Sequence, residues 1–417
     1  MIVILDAFFL LLGICLGIYR INKCKKLMQN CNLIRFEDDS SLYDEVVLVI
    51  PIYNEQKVIH QSIKHFRPLI EKGVEVIYVG TKKEKGNIKT YEIAQKLIDE
   101  MGLEERCKVL VYPEDKGVMA HQLNYALSTL NDEKIVGIYN VDSVIDIKTI
   151  DYVLANREKL KKGVFQQYAY ADIPTKGLIR NAVMWQNRWS LAYELPRTID
   201  RREFGIKKFN YVIGHGLFFR QSLIREVGFF SEEQINEDNV LGYAFYINDV
   251  RIFPIPYLEK MGFAENIKVY IKQQSVWFNG PFYAFKYFKE MKGKRKATLE
   301  RLWMAIQNYK NALNWFLFEH ITLVSIIYLL FERRLLEVLG IILLILGYVS
   351  GINCMAEKIL IKEKYFEKVE RRGELYLICE IIFWLVIHTL GPIITFAKIL
   401  TGSNSQKNKY KTEKSIL

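Results

Sequence analysis

The sequence predicts an α/β domain with a mostly parallel sheet, flanked by transmembrane helices. Between residues 45 and 290, short apolar runs alternate with longer stretches in which apolar residues recur at helical spacing. Residues 2–19 and 313–400 are instead almost continuously apolar. Apolar strands separated by helices form a parallel sheet covered on both faces. Ligands of such sheets bind at the carboxyl ends of the strands.

Four strand and helix pairs follow one another from residue 46 onward. The strands are predicted at residues 46–50, 74–79, 107–112 and 135–140. The helices that follow them are predicted at residues 56–71, 88–101, 118–130 and 147–161. Helices of this length are long enough to connect parallel strands.

The apolar ends predict membrane helices. Residues 1–21 form one, because Ile2–Tyr19 carries only the charge of Asp6 and can cross about 30 Å of hydrocarbon. The region 313–400 contains two further spans, Leu313–Phe331 and Leu335–Met355. Tyr376–Leu400 is either another crossing or, because Gly391-Pro392 interrupts it, a re-entrant or interfacial pair. A basic tail, residues 401–417, follows.

The net charge of +11 is concentrated beside these apolar segments. Basic runs at residues 20–26 and 356–375 predict that both lie in the cytoplasm, with the α/β domain between them. No zinc-finger or RNA-recognition pattern accompanies the charge, so nucleic acid is not an expected partner. Residues 294–312 have one apolar and one basic face. They predict an interfacial amphipathic helix or, alternatively, a helix packed on the domain.

Two acidic positions stand out in the α/β domain. Asp142 follows the predicted strand 135–140, where a carboxylate can hold Mg²⁺ or Mn²⁺ against a diphosphate. Glu237 and Asp238 lie in a later segment and can supply a general base for an incoming hydroxyl. Each has a structural alternative: Asp142 can close a turn, and the acidic pair can start a helix.

Short motifs in the same order resemble those of the membrane-bound family 2 glycosyltransferases, the group that includes polysaccharide synthases and ceramide glucosyltransferases. The resemblance covers residues 45–290. It rests on six motifs with these residues: Pro51-Ile-Tyr53-Asn54-Glu55, Lys116 with Asn124, Asn140-Val-Asp142, Gly214-His215, Glu237-Asp238 and Gln273 with Trp277.

The resemblance implies a GT-A-like fold, a UDP-linked sugar donor and an inverting reaction. It implies that Asp238, assisted by Glu237, is the catalytic base and that Asp142 binds Mg²⁺ or Mn²⁺. The acceptor would be bound by Gly214, His215, Gln273 and Trp277. The nucleotide sugar would be bound by Pro51, Tyr53, Glu55, Thr81, Lys116, Asn124 and Asn140.

Other interpretations stay open at several of these positions. Asn54 and Glu55 can cap the predicted helix 56–71, and Asn124 can be a packed polar residue. Three positions also depart from the family pattern. Thr81 stands where an aspartate reads the base, Asn140 replaces a metal-binding carboxylate, and Val276 replaces an arginine.

The predicted function is transfer of a sugar to a growing polysaccharide or a membrane glycolipid. The alternative is a catalytically weak relative that serves as a scaffold or partner subunit in an envelope-polysaccharide complex, and the three departures motivate it. A transporter is the third possibility, because ionisable residues occur in the apolar segments: Glu319, His320, Glu380 and His388.

Overall fold

A seven-stranded sheet forms the centre of the computed structural model, which describes residues 1–31, 40–174, 177–290, 298–366 and 373–403. Its strand order is β10-β5-β9-β4-β1-β2-β3, and every pairing is parallel except those of β9. Two small two-stranded sheets pair β11 with β6 and β7 with β8. The strands are β1 Val46–Pro51, β2 Glu75–Thr81, β3 Cys107–Tyr112, β4 Ile135–Ile138, β5 Gly163–Gln166, β6 Ala169–Tyr170, β7 Arg202–Glu203, β8 Ile206–Lys207, β9 Leu217–Arg220, β10 Arg251–Pro254 and β11 Glu259–Lys260.

The α-helices connect these strands and continue beyond the sheet. They are α1 Ile2–Gln29, α2 Ile59–Ile70, α3 Thr90–Glu100, α4 Met119–Ser128, α5 Ile147–Ala155, α6 Leu178–Trp189, α7 Leu195–Ile199, α8 Gln221–Val227, α9 Glu237–Ile247, α10 Ile267–Phe282, α11 Ala284–Glu290, α12 Thr298–Phe331, α13 Leu335–Leu346, α14 Ile352–Lys362, α15 Glu374–Ile382 and α16 Leu390–Leu400.

The four predicted strand and helix pairs are present, and the prediction of a mostly parallel α/β sheet is confirmed. Two helix boundaries are wrong. Helix α2 begins at Ile59 with Val58 as its N-cap, so Asn54 does not cap it. The backbone of Asn54 has a positive φ of 54°, and its N–H binds Glu84, which places Asn54 in a separate turn. The predicted helix 147–161 is also shorter, because α5 ends at Ala155 and a 3₁₀ turn follows.

Apolar side chains cover both faces of the sheet. Neighbouring residues of β1 point to opposite sides, as strand geometry requires. Leu48 packs in the cluster that includes α2 and α3, whereas Val47 packs in the cluster that includes α4 and α9. Both side chains are fully buried. The sheet thus leaves its strand ends, and not its faces, available for a binding site.

Within the part of the chain that the structure describes, four helical segments are long and apolar enough to span a membrane: Ile2–Gln29, Leu299–Phe331, Leu335–Lys362 and Tyr376–Leu400. The second belongs to α12, a single helix of 34 residues. The described part of the predicted interfacial segment, residues 298–312, therefore continues directly into the span, and residues 294–297 lie outside the described chain.

One face of this first part of α12 packs against the domain through Met304, Ala305 and Asn308. Another face leaves Trp303 and Ile306 each 41% exposed. The buried face fits a helix packed on the domain, and the exposed apolar face fits a helix in the membrane interface. The position of this segment in the membrane interface stays a prediction.

The last apolar segment is not one straight helix. Helix α15 continues through a π-helical turn, Phe383–Ile387, and α16 starts anew at Leu390. The ring centroids of Trp384 and Phe318 lie 5.8 Å apart, and those of Phe396 and Phe316 lie 5.2 Å apart. In a straight helix Trp384 and Phe396 would be about 18 Å apart, yet both rings contact the same turn of α12. The segment therefore turns back beside α12.

Candidate active site

Asp142 follows β4 and is held in place by the segment after β11. Its Oδ2 accepts a hydrogen bond from the Gly262 N–H at 3.0 Å, and the side chain is only 7% exposed. The backbones of Val144 and Lys260 exchange two hydrogen bonds, of 2.8 and 2.9 Å. Asn140 and Ser143 close a tight turn around Asp142, because the Ser143 N–H donates to the Asn140 carbonyl at 3.1 Å. This carboxylate therefore has a fixed position at the strand end.

Asp238 lies in the first turn of α9. Its Oδ1 accepts a hydrogen bond from the Asn239 N–H at 2.7 Å. A Cβ placed on Gly214 would lie 3.7 Å from Asp238 Oδ2, so this oxygen faces the backbone of Gly214. Glu237, its neighbour, is only 1% exposed. The structure therefore brings Asp238 and Gly214 together.

The loop 213–216 lies between these two carboxylate regions. Gln166 accepts a hydrogen bond from the Ile213 N–H and donates one to the His215 carbonyl, at 3.0 and 2.8 Å. The Gly216 N–H donates to the Ile138 carbonyl at the end of β4, at 2.7 Å. Gly216 has a φ of 64°, and a Cβ there would lie 2.4 Å from the Gln167 carbonyl oxygen, so only glycine fits. The loop is thus tied to β4 and β5.

His215 connects this loop to β11. Its Nδ1 binds the carboxylate of Glu259, which is completely buried. Glu194 is a second buried carboxylate in this region, and its Oε1 accepts a hydrogen bond from the Tyr211 hydroxyl at 3.3 Å. Burial raises the pKa of Glu194 to about 7, although the nearby His215 opposes the shift. The sequence did not indicate Glu259 or Glu194, because neither lies in a motif or at a predicted strand end.

Glu84 organises the segment after β1. Its Oε1 accepts hydrogen bonds from the Asn54 N–H at 3.1 Å, the Gln56 amide at 2.8 Å and the Thr90 hydroxyl at 2.5 Å. Thr90 in turn accepts a hydrogen bond from the Glu55 N–H at 2.8 Å. Glu84 is 1% exposed. The sequence did not indicate it, because the surrounding run of lysines is typical of a solvated turn.

A lysine occupies the space between the predicted nucleotide residues. Lys83 Nζ donates to the Gly117 carbonyl at 2.8 Å and lies 5.7 Å from the centroid of the Tyr53 ring. The Thr81 hydroxyl accepts a hydrogen bond from the Lys83 N–H at 3.2 Å. Thr81 is 4% exposed, whereas Lys116 lies exposed in the turn before α4. Lys83 thus adds a cation that no predicted motif contains.

Asn124 is placed as a packed polar residue. Its amide donates to the Phe230 carbonyl at 2.9 Å, and its Oδ1 accepts from the Phe230 N–H at 3.1 Å. It also donates to Glu232 at 2.9 Å. These bonds hold the chain that leads to α9. Its role in nucleotide binding stays a prediction, and contact with a nucleotide would require these bonds to open.

Helix α10 carries Gln273 and Trp277 past the start of α9. A Cβ on Gly280 would lie 3.4 Å from the Asn239 amide nitrogen and 3.5 Å from the Asn236 Cγ. Gln273, Trp277 and Gly280 share one side of the helix, since residues three, four and seven apart are neighbours on its surface. Trp277 is 37% exposed. The two predicted acceptor residues therefore share the side of α10 that contacts α9.

The residues fit a divalent cation that takes most of its ligands from a substrate. The described residues contain no group of three His, Cys, Asp or Glu side chains that could hold a metal by itself. Mg²⁺ and Mn²⁺ sites often combine one or two carboxylates with phosphate oxygens. Asp142 provides one carboxylate, and Asn140 lies two residues before it with an amide oxygen.

Comparison with known families agrees with this geometry. Residues 47–228 match Glycosyl transferase family 2, and residues 188–355 match Glycosyl transferase family group 2. The chain belongs to the family 2 glycosyltransferases. As a family 2 glycosyltransferase it is an enzyme, and the family that its motifs resembled is confirmed. No curated protein matches the chain.

One solved structure gives the same fold. The mannosyltransferase PcManGT from Pyrobaculum calidifontis, in complex with GDP-Man and Mn²⁺, is 12% identical and aligns with a TM-score of 0.53 over 97% of this glycosyltransferase and 100% of that chain. S. aureus TarS 1–349 is also 12% identical, with a TM-score of 0.44 over 81% of this chain and 90% of that chain. The likeness to PcManGT confirms the GT-A-like fold.

Proposed function

We propose that this glycosyltransferase transfers a sugar, with inversion, from a UDP-linked donor to a growing polysaccharide or a membrane glycolipid. The observation that carries the proposal is the position of Asp142 and Asp238. The loop 213–216 is bonded to the end of β4, which Asp142 follows, and its Gly214 faces Asp238. A donor at Asp142 and an acceptor hydroxyl at Asp238 would meet along this loop.

In the proposed reaction the acceptor hydroxyl attacks the anomeric carbon as the bond from that carbon to the diphosphate oxygen breaks. Asp238 takes the hydroxyl proton, and Gly214 leaves room for the acceptor beside its Oδ2. Asp142, with Asn140, would hold Mg²⁺ or Mn²⁺. A bound cation neutralises the charge of the leaving diphosphate. Lys83 and Lys116 add positive charge beyond the carboxyl ends of β2 and β3.

The packing of α10 supports an acceptor at the membrane surface. Ser275 Oγ and Thr395 Oγ1 are 2.7 Å apart, and a Cβ on Gly391 would lie 2.6 Å from the Gln274 Cβ. The helix that presents Trp277 thus rests on the apolar segment 376–400. An exposed indole can stack on a sugar face. A glycolipid or a membrane-associated chain would reach Trp277 without leaving the bilayer surface.

We also propose a cytoplasmic catalytic domain and a re-entrant last segment. The basic runs at 20–26 and 356–375 favour the cytoplasmic side. The return of Phe396 to the level of Phe316 supports a segment that enters and leaves on one side. The lysines of the tail, which lies outside the described residues, would then also be cytoplasmic.

The competing proposal is a catalytically weak partner subunit. It is favoured by Asn140, which leaves Asp142 as the one carboxylate of the predicted metal motif. Purified protein in nanodiscs, supplied with a panel of nucleotide sugars, distinguishes the two. The enzyme predicts release of free nucleotide with at least one donor, and loss of this release when EDTA removes divalent cations. Absence of turnover with every donor, at intact nucleotide binding, would favour the partner subunit.

A further inference from the structure

Helix α9, which carries Asp238 in its first turn, begins without a side-chain cap. Its N-cap residue is Asn236, and within the described chain the Asn236 side chain makes no capping hydrogen bond. The first turn of a helix has backbone N–H groups without partners inside the helix, and a missing cap makes this end less stable. Contacts with other elements therefore have to fix the turn that positions the proposed base.

Asn308 of α12 provides such a contact. Its side-chain amide nitrogen donates one hydrogen bond to Asn239 Oδ1 at 3.0 Å and another to the Tyr243 hydroxyl at 3.1 Å. Asn239 and Tyr243 are four residues apart, so they lie one above the other on the same side of α9. A side-chain amide has two N–H groups to donate. Asn308 uses both of them to bridge one turn of α9.

The bridge is buried and confined from a second side. Asn308 is 1% exposed, and Asn239 and Tyr243 are also buried. A buried polar side chain is stable only when it is hydrogen-bonded, so these three side chains depend on one another. Helix α10 closes the other side of Asn239, because a Cβ on Gly280 would lie 3.4 Å from the Asn239 amide nitrogen. Asn239 thus has little room to move away from Asn308.

Asn239 connects this bridge to Asp238, since its backbone N–H donates to Asp238 Oδ1 at 2.7 Å. Asn308 itself belongs to a helix that continues into an apolar segment long enough to span a membrane. We propose that Asn308 is a positioning residue for sugar transfer. Through Asn239 and Tyr243 it fixes the turn that carries Asp238, so that α12 sets the position of the base. This inference rests on the proposed role of Asp238.

Asn308→Leu tests the proposal, because leucine removes both hydrogen bonds at a similar side-chain volume. The full chain in nanodiscs is assayed for kcat with a nucleotide sugar that supports turnover, and for UDP affinity by calorimetry. We expect kcat to fall about 10- to 100-fold, since a displacement of about 1 Å can cost this much, and UDP affinity to stay unchanged. Asn314→Leu, at an exposed asparagine of the same helix, is the control and should keep kcat. Unchanged kcat in Asn308→Leu would overturn the inference.

A double-mutant cycle separates positioning of Asp238 from a general structural role. In the Asp238→Asn background, Asn308→Leu should lower kcat little further, because no base is left to position. An equal fold-loss in both backgrounds would overturn the inference, since Asn308 would then act independently of Asp238. Wild-type kcat in Asp238→Asn alone would instead refute the proposed function, so the two failures are distinguishable.

Tyr243→Phe gives the same test if Asn308→Leu does not fold. It removes the hydroxyl that accepts one of the two Asn308 hydrogen bonds. It keeps the ring, whose centroid lies 4.5 Å from that of Phe209 and 6.0 Å from that of Tyr287. We expect a several-fold fall in kcat, unchanged UDP affinity and little further loss in the Asp238→Asn background. Unchanged kcat in Tyr243→Phe would then overturn the inference.

Discussion

Replacing Asp238 by asparagine isolates the role of the proposed base. Asparagine keeps the Oδ1 that accepts the Asn239 N–H at 2.7 Å, so the first turn of α9 should remain intact. The change removes the negative charge and with it the ability to take a proton at Oδ2, the oxygen that faces Gly214. Loss of a positioned base costs about 10²–10⁴ in rate, which corresponds to about 2.7–5.4 kcal/mol of transition-state stabilisation. Glu237 is 1% exposed and cannot readily replace it.

The assay measures kcat and donor affinity separately, with the purified protein in nanodiscs. We expect kcat to fall by about 10²–10⁴ while nucleotide binding stays nearly unchanged, because Asp238 acts on the acceptor hydroxyl and not on the donor. Asp146→Asn is the control, since Asp146 also accepts an N–H at a helix start, from Lys148 at 3.0 Å, but lies exposed. Near wild-type turnover in Asp238→Asn would remove Asp238 from the mechanism.

Three further predictions concern the donor site and the topology. Asp142→Ala should abolish metal-dependent nucleotide binding in a calorimetric titration, and Asn140→Asp should preserve or strengthen it; weaker metal binding in Asn140→Asp would show that the strand end is misassigned. Glu84→Ala should raise the KM for the donor, because several hydrogen bonds of the segment after β1 lose their acceptor; an unchanged KM would separate Glu84 from donor binding. Single-cysteine variants, treated with a membrane-impermeant thiol reagent outside intact cells, report the topology. A cysteine at position 333 should react, and cysteines at positions 85 and 403 should not. Labelling at 403 would show a full fourth crossing, and labelling at 85 would place the domain outside the cell.

The first half of the fold was predictable because each of its apolar strands is followed by an amphipathic helix. From β1 to β4 each strand is followed by an amphipathic helix, and both periodicities are visible in the sequence. The later strands β5, β9 and β10 are as short as β4, with four residues each, and no α-helix separates β5 or β10 from the strand that follows it. Their order in the sheet depends on contacts between distant segments, which a single sequence does not reveal.

The site was predictable only where residues lie in ordered motifs. Asp142, Gly214 and Asp238 came from such motifs, and the structure ties the regions around them together. Glu84 and Glu259 became visible only in the structure, because their importance comes from burial. The local sequence around a glutamate in a lysine-rich turn does not show whether its side chain is solvated or buried. Glu84 is buried and accepts a hydrogen bond from the Asn54 N–H, 30 residues earlier in the sequence.

The stereochemistry of the product tests the central claim most directly. A donor that supports turnover, labelled with ¹³C at the anomeric carbon, should be transferred to the acceptor and the product isolated at short reaction times. NMR coupling at that carbon then gives the anomeric configuration. We predict the configuration opposite to that of the donor, formed in wild-type protein and absent in Asp238→Asn. Retention of the donor configuration would contradict a single attack by an acceptor hydroxyl that Asp238 deprotonates.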